Sequence, residues 1–124
     1  MNSKKILIVE DETSLLYALQ SQLSVEGFKT ITAADGESAL SLVLKEKPDI
    51  IVLDIILPKM DGWALLKKIK SSKTTKGIPV IIISNISDDD SRLKGLELGA
   101  KDYLAKVDYS VADLVKKIKT ISEL

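Results

Sequence analysis

Ile50-Ile51-Val52-Leu53-Asp54 is the stretch on which the fold turns. Four apolar residues, three of them β-branched, run without alternation and stop at a carboxylate. Three other runs share this shape. Ile6-Leu7-Ile8-Val9 stops at Glu10-Asp11, Val80-Ile81-Ile82-Ile83 at Ser84, and Tyr103-Leu104-Ala105 at Lys106. Short apolar runs of this kind read as strands buried on both faces. In a parallel sheet, strand ends of one polarity lie along one edge, and ligands bind there. Three carboxylates, a hydroxyl and an ammonium are therefore expected in one crevice.

The segments between the runs carry helical spacing. After a first strand over Lys5 to Val9, Leu15, Leu16, Leu19 and Leu23 line one helix face. Gly27 sits where a left-handed cap ends a helix. A second strand covers Lys29 to Ala33. Asp35-Gly36 reads as a turn, and Ala39, Leu40, Val43 and Leu44 as the stripe of a second helix that Pro48 stops. The third strand spans Asp49 to Leu53. Pro58 to Gly62 is a loop, and Asp61 caps a helix over Trp63 to Lys70. Lys73 to Pro79 is a polar connection, and Val80 to Ile83 the fourth strand. Leu93, Leu96 and Leu98 belong to the next helix, closed by Gly99. Asp102 to Ala105 is the fifth strand, and Val111, Leu114, Val115 and Ile118 line the last helix. Five β-α units imply an α/β fold, a three-layer α/β/α sandwich on a parallel sheet.

The 124 residues fit one domain, 1–124. Eighteen basic and eighteen acidic residues balance, which argues against direct nucleic-acid binding. No Cys is present, which excludes disulfides and thiolate chemistry and fits a cytoplasmic location. No His is present, which excludes Ser-His catalysis and the usual zinc sites. Met1 to Lys5 leads directly into a strand, and no apolar stretch is long enough for a signal peptide or a membrane span. No glycine-rich phosphate loop follows the first strand, which argues against dinucleotide or flavin binding.

At the expected edge, Glu10, Asp11 and Asp54 total three negative charges and Lys106 offsets one. A divalent cation would balance the other two; otherwise the repulsion raises a carboxylate pKa or parts the loops. All-oxygen ligation suits Mg2+. Asp11 and Asp54 are candidate direct ligands, with Glu10 assisting. Asp54, on the central strand, is the candidate nucleophile toward phosphorus. The metal and Lys106 would neutralise the transferring oxygens, and Ser84 could donate a hydrogen bond to them. Taken singly, Asp and Ser after a strand are common helix caps, and a lone lysine is commonly a surface residue. The joint placement favours a site. Asp88-Asp89-Asp90 reads as a solvated helix start, and Met60 and Trp63 as packing residues.

Five motifs, Ile6 to Glu12 (ILIVEDE), Ala34 to Leu40 (ADGESAL), Asp54 to Gly62 (DIILPKMDG), Pro79 to Ser84 (PVIIIS) and Gly99 to Lys106 (GAKDYLAK), closely resemble the receiver domain of two-component response regulators. The resemblance covers the whole chain. It implies a flavodoxin-like five-stranded sheet of order 2-1-3-4-5 with five helices. It also implies that Asp54 is the phosphoacceptor, that Asp11 is the direct Mg2+ ligand beside Glu10, and that the Ile56 backbone carbonyl is a further ligand. Ser84 matches the switch hydroxyl, Tyr103 the switch aromatic and Lys106 the phosphate-pairing lysine. The implied phosphoryl donor is a phosphohistidine on a sensor histidine kinase or phosphotransfer protein. The implied output surface, for a partner or a homodimer, is the fourth helix, fifth strand and last helix. For Tyr103 the alternative is an ordinary half-buried aromatic.

Two functions compete with a phosphoacceptor signalling domain. A magnesium phosphohydrolase typically has a second Asp two residues after a nucleophile on the first strand, whereas Glu12 stands two after Glu10. A pseudo-receiver that only binds protein would not need acid pair, acceptor, hydroxyl and lysine together. The chain contains no output module, so it is read as a standalone receiver or a piece of a longer regulator.

Four positions depart from the family pattern. Val107 follows Lys106 where the family has a cis proline, and a cis bond to a non-proline costs about 2.5–4 kcal/mol, so a trans bond and a reshaped loop are expected. Glu10 replaces the commoner Asp. Ile56 and Ile86 flank the path of the attacking water and cannot orient it by hydrogen bonding. Slow autodephosphorylation follows, and an Ile56→Asn variant should lose its phosphoryl group faster than the native chain in a phosphoprotein decay assay.

Overall fold

The computed structural model describes residues 4–123; the lead residues Met1 to Ser3 and the C-terminal Leu124 lie outside the described residues. Strands and helices alternate as β1 (Lys5–Val9), α1 (Thr13–Val25), β2 (Lys29–Ala33), α2 (Gly36–Glu46), β3 (Ile50–Asp54), α3 (Gly62–Ser71), β4 (Val80–Ser84), α4 (Asp89–Glu97), β5 (Asp102–Ala105) and α5 (Val111–Ser122). The strands form one parallel sheet of order β2-β1-β3-β4-β5. Chain order reverses direction at β1, which puts the switch point, and the crevice it creates, between β1 and β3.

Both sheet faces are covered, which is why the strands lack alternation. Leu7, Val9, Ile51, Leu53, Val80, Ile82 and Tyr103 face one layer with Ala39, Val43, Leu65, Leu66 and Ile69 of α2 and α3. Ile6, Ile8, Ile50, Val52, Ile81, Ile83 and Leu104 face the other, against Leu19 and Leu23 of α1 and Leu114, Val115 and Ile118 of α5.

The helix signals act as caps. Asp35, Asp61, Asp88 and Ser110 accept from the N–H groups of Ser38, Ala64, Ser91 and Asp113, at 2.8, 2.9, 3.1 and 3.1 Å. Asp35-Gly36 is therefore the start of α2 and not a separate turn. Gly27 and Gly99 take positive φ just past α1 and α4. Lys47, before Pro48, takes a left-handed conformation and ends α2.

Several boundaries shift. β3 runs one residue later than expected and includes Asp54, β4 includes Ser84, and α3 extends to Gly62 and Ser71. Parallel pairing carries these polar residues as far as a partner strand is available: Asp54 opposes Ile83, and Ser84 opposes Ala105. Leu44 of the α2 stripe is 52% exposed, and Leu93 and Leu96 of α4 are 55% and 42% exposed. The buried residue of α4 is Gly95, where the Ile82 side chain and the Tyr103 ring fill the space beneath it. The bond at Val107 is trans, since no cis peptide occurs among the described residues. A 3-10 turn over Lys106–Asp108 replaces the family's proline-bearing loop. No described helix is long and apolar enough to cross a membrane.

Burial decides what each leucine contributes. Leu65→Ala, in the core, should cost about 2–5 kcal/mol. Leu44→Ala should stay within about 0.5 kcal/mol of the native chain. Urea unfolding monitored by circular dichroism measures both.

Candidate phosphoryl-transfer and metal site

Register brings the acids together. Val9 opposes Leu53 on adjacent strands, so Glu10 and Asp54 leave the sheet side by side. Oxygens of Glu10, Asp11 and Asp54 lie within 4.8 Å of one another. Glu10 is fully buried, Asp54 nearly so, and Asp11 is exposed. Lys106 reaches in from the end of β5. Its Nζ donates to Asp54 Oδ2 at 3.0 Å and lies 2.7 Å from Glu10 Oε1 and 3.9 Å from Glu12 Oε1.

The Asp54 carboxylate is held at both oxygens. Oδ2 meets Lys106, and Oδ1 accepts from the Ile56 N–H at 3.2 Å. Glu10 is held at one. Its Oε2 accepts from the Glu12 N–H at 3.0 Å, whereas no donor is aligned with Oε1 among the described residues, despite the close ammonium. The Lys106 ammonium, 2.7 Å away, is the counter-charge of Oε1. Three carboxylates with oxygens within 4.8 Å of one another, facing one ammonium, are a donor set suited to a hard divalent cation or its water shell. The acidic cluster fits such a metal.

Burial lifts the Glu10 carboxyl from its ordinary 4.5 to about 7. Lys106 and the Glu12 N–H offset part of this, and Asp54 adds to it. Burial pulls the Lys106 ammonium down, but its bonds and charge contacts with Glu10 and Asp54 outweigh burial and raise it overall. Lys106 therefore stays protonated where a phosphoryl group would need it.

Ser84 and Tyr103 stand on the neighbouring strands. The Ser84 hydroxyl accepts from the Ile86 N–H at 3.0 Å, and the Tyr103 hydroxyl donates to the Ile86 carbonyl at 2.6 Å. The two main-chain groups of Ile86 thus link the two side chains. Tyr103 is fully buried with its ring inward, in contrast to the half-buried alternative. Arg92 donates to the Tyr103 carbonyl at 2.8 Å, and its guanidinium lies 5.7 Å from the ring centroid. Trp63 packs against the core as expected, with Lys94 Nζ 4.4 Å from its ring centroid.

Sequence reasoning did not assign roles to Glu12, Arg92 or the Ile86 backbone. Glu12 was within reach, since it adjoins the acid pair. Arg92 and the Ile86 peptide carry no signal, because their partners are distant or main-chain groups.

A parallel sheet with acids and a lysine converging at its switch point defines an α/β domain whose acidic cluster fits a divalent cation. The family "Response regulator receiver domain" matches residues 6–119. "Probable transcriptional regulator ycf27" of Porphyridium aerugineum is 38% identical over 121 residues, 98% of this chain and 49% of the relative. The receiver domain of Francisella response regulator 1452 aligns with a TM-score of 0.88 at 30% identity, covering 98% of each chain. The Mn(2+)-bound form of response regulator Rcp1 aligns with a TM-score of 0.82 at 30% identity, covering 98% of this chain and 93% of that one. The chain belongs to the response regulator receiver domain family. It is a signalling domain of two-component phosphorelays, and it spans about half the length of that ycf27 relative.

Glu10 sets a pH dependence. Its folded-state pKa is raised, so the metal-free native state binds the extra proton. This group's contribution to stability is present below about 4.5 and is lost as pH rises through about 7. Carboxyl NMR titration of metal-free protein should find Glu10 near 7. Asp54→Asn should lower that value by removing the adjacent negative charge.

Proposed function

We propose that this chain, as one domain over 1–124, accepts a phosphoryl group on Asp54 from a phosphohistidine of a sensor histidine kinase or phosphotransfer protein. Its catalysis is confined to that transfer and to slow hydrolysis of its own acyl phosphate. The observation that carries the reading is the buried Asp54 carboxylate, bonded to Lys106 at 3.0 Å within an acid cluster that fits a cation. Asp54 Oδ would attack phosphorus in line, and the bond from phosphorus to the donor's imidazole nitrogen would break. Lys106 would exchange part of its contact with Asp54 for a phosphoryl oxygen.

Mg2+ is the proposed cation, held by Asp11, Asp54 and the Ile56 backbone carbonyl, with Glu10 acting directly or through water. It would supply charge neutralisation at the transferring oxygens. The oxygen-only donor set supports this, as does the Mn(2+)-bound relative of the same fold.

The proposed switch uses Ser84 and Tyr103. A phosphoryl group adds charge and acceptor oxygens. If the Ser84 hydroxyl turns to it, the bond to Ile86 is released, and Ile86 is the residue that Tyr103 holds. The surface formed by α4, β5 and α5 then changes for a partner or a second copy. The exposed Leu93 and Leu96 support a contact role for α4. The output partner of a longer regulator is supported by the transcriptional-regulator relatives. The absence of cysteine supports a cytoplasmic location. The exposed Ile56, which offers no side-chain hydrogen bond to water, supports slow dephosphorylation.

Incubation with acetyl phosphate and Mg2+ should add one phosphoryl group, read by intact mass, and chelation should abolish it. Asp54→Asn should remain unmodified; labelling of that variant at the native rate would sink the assignment. Mg2+ affinity should weaken as pH falls through about 7, because the proton on Glu10 competes with the cation.

A further inference from the structure

The motif Ala34 to Leu40 takes no part in the chemistry above, yet its Asp35-Gly36 step touches the loop that follows Asp54. Gly36 is buried at the start of α2. A Cβ added there would lie 2.0 Å from the Met60 carbonyl oxygen and 2.7 Å from Met60 Cβ. The obstacle is backbone, which cannot swing aside as a side chain can. The Gly36 N–H points to the Pro58 carbonyl at 3.4 Å, and Asp35 Oδ2 lies 4.0 Å from Lys59 Nζ. Lys59 itself is held in the left-handed region, at φ 67°. Three consecutive loop residues therefore touch the first turn of α2.

The other end of the loop is also fixed. The Gly62 N–H donates to the Ile55 carbonyl at 2.7 Å, and a Cβ on Gly62 would lie 2.4 Å from Ile55 Cα. Residues 55–61 are thus clamped between the starts of α2 and α3. Within that loop the Ile56 N–H holds Asp54 Oδ1 at 3.2 Å.

We propose that Gly36 is a positioning residue of the phosphoacceptor site: its lack of a side chain lets α2 press on Pro58–Met60 and set the loop that presents the Ile56 peptide to Asp54 and the cation. This rests on the metal and phosphoacceptor reading given above. Gly36 does not have positive φ, so the demand is for space and not for conformation. Linkage makes the effect reciprocal, and a cation bound at the loop tightens the loop's contact with α2.

The test compares Gly36→Ala with Gly77→Ala, a control because a Cβ at Gly77 meets nothing within 4 Å. Mg2+ alone is titrated into each protein and followed by amide NMR. Gly36→Ala should bind Mg2+ about tenfold or more weakly, as for other groups that orient metal ligands. Acetyl phosphate labelling of that variant should recover toward the native rate at saturating Mg2+. Gly77→Ala should match the native chain in both. A Gly36→Ala protein that is less stable to urea but binds Mg2+ as the native chain does would overturn the proposal, since that is what plain packing predicts.

If the native chain takes up no Mg2+, the cation reading fails separately. The metal-free spectra then decide. Displaced amides at Ile56, Lys59 and Met60 uphold the positioning role, and changes confined to α2 overturn it. If Gly36→Ala does not fold, the native chain still supplies a test. Mg2+ should slow hydrogen exchange of the Gly36 amide, and unchanged exchange with Mg2+ bound overturns the proposal.

Discussion

One ammonium stands between two buried carboxylates, and the site depends on that arrangement. Glu10 and Asp54 leave adjacent strands at the same level, so the sheet forces their like charges together. At a separation of about 4 Å such a pair repels by about 4 kcal/mol in a partly screened setting. Lys106 meets both oxygens from the end of β5 and offsets one charge. Asp11 adds a third negative charge at the mouth. The cluster remains two charges short of neutrality, and a hard dication restores balance. Burial is the largest cause of the raised Glu10 carboxyl, and the neighbouring Asp54 adds to it.

The strands tolerate this because the rest of each strand is apolar and covered on both faces. Every residue of β3 and β4 is buried. The cost of converging charges falls at the strand ends, where loops can supply N–H groups. Ile56 and Glu12 do so from the main chain, at 3.2 and 3.0 Å. The loops in turn are shaped by close backbone contacts with the starts of α2 and α3. The Asp54 carboxylate thus sits at the end of a buried strand, and the Ile56 N–H that orients it sits on a loop packed against Gly36 and Gly62.

Much of this was legible in the chain. Apolar runs ending in Glu10, Asp54, Ser84 and Lys106 announced strands and the edge they share, because β-branched residues without alternation suit a sheet buried twice. The caps at Asp61 and Asp88 were legible because a short acidic side chain before a helix satisfies a free N–H. The helix stripes were less reliable. Leu44, Leu93 and Leu96 follow helical spacing yet remain exposed, while Gly95 is the residue that faces the core. Spacing reports which residues share a face; it does not report what volume already fills the space opposite, and there the Ile82 side chain and the Tyr103 ring decide.

The sequence by itself determined the fold class, the order of the elements and the identity of the groups at the sheet edge, since these follow from local pattern and from the polarity of parallel strands. Only the tertiary structure decided how those groups pair: that Lys106 bridges Glu10 and Asp54, that the main chain of Ile86 joins Ser84 to Tyr103, and that Gly36 lies against the Met60 carbonyl. The physical reason is range. Backbone propensity and periodicity act over a few residues, whereas the Tyr103–Ile86, Lys106–Asp54 and Lys106–Glu10 contacts close between positions 17 to 96 residues apart and exist only once the sheet has set its register.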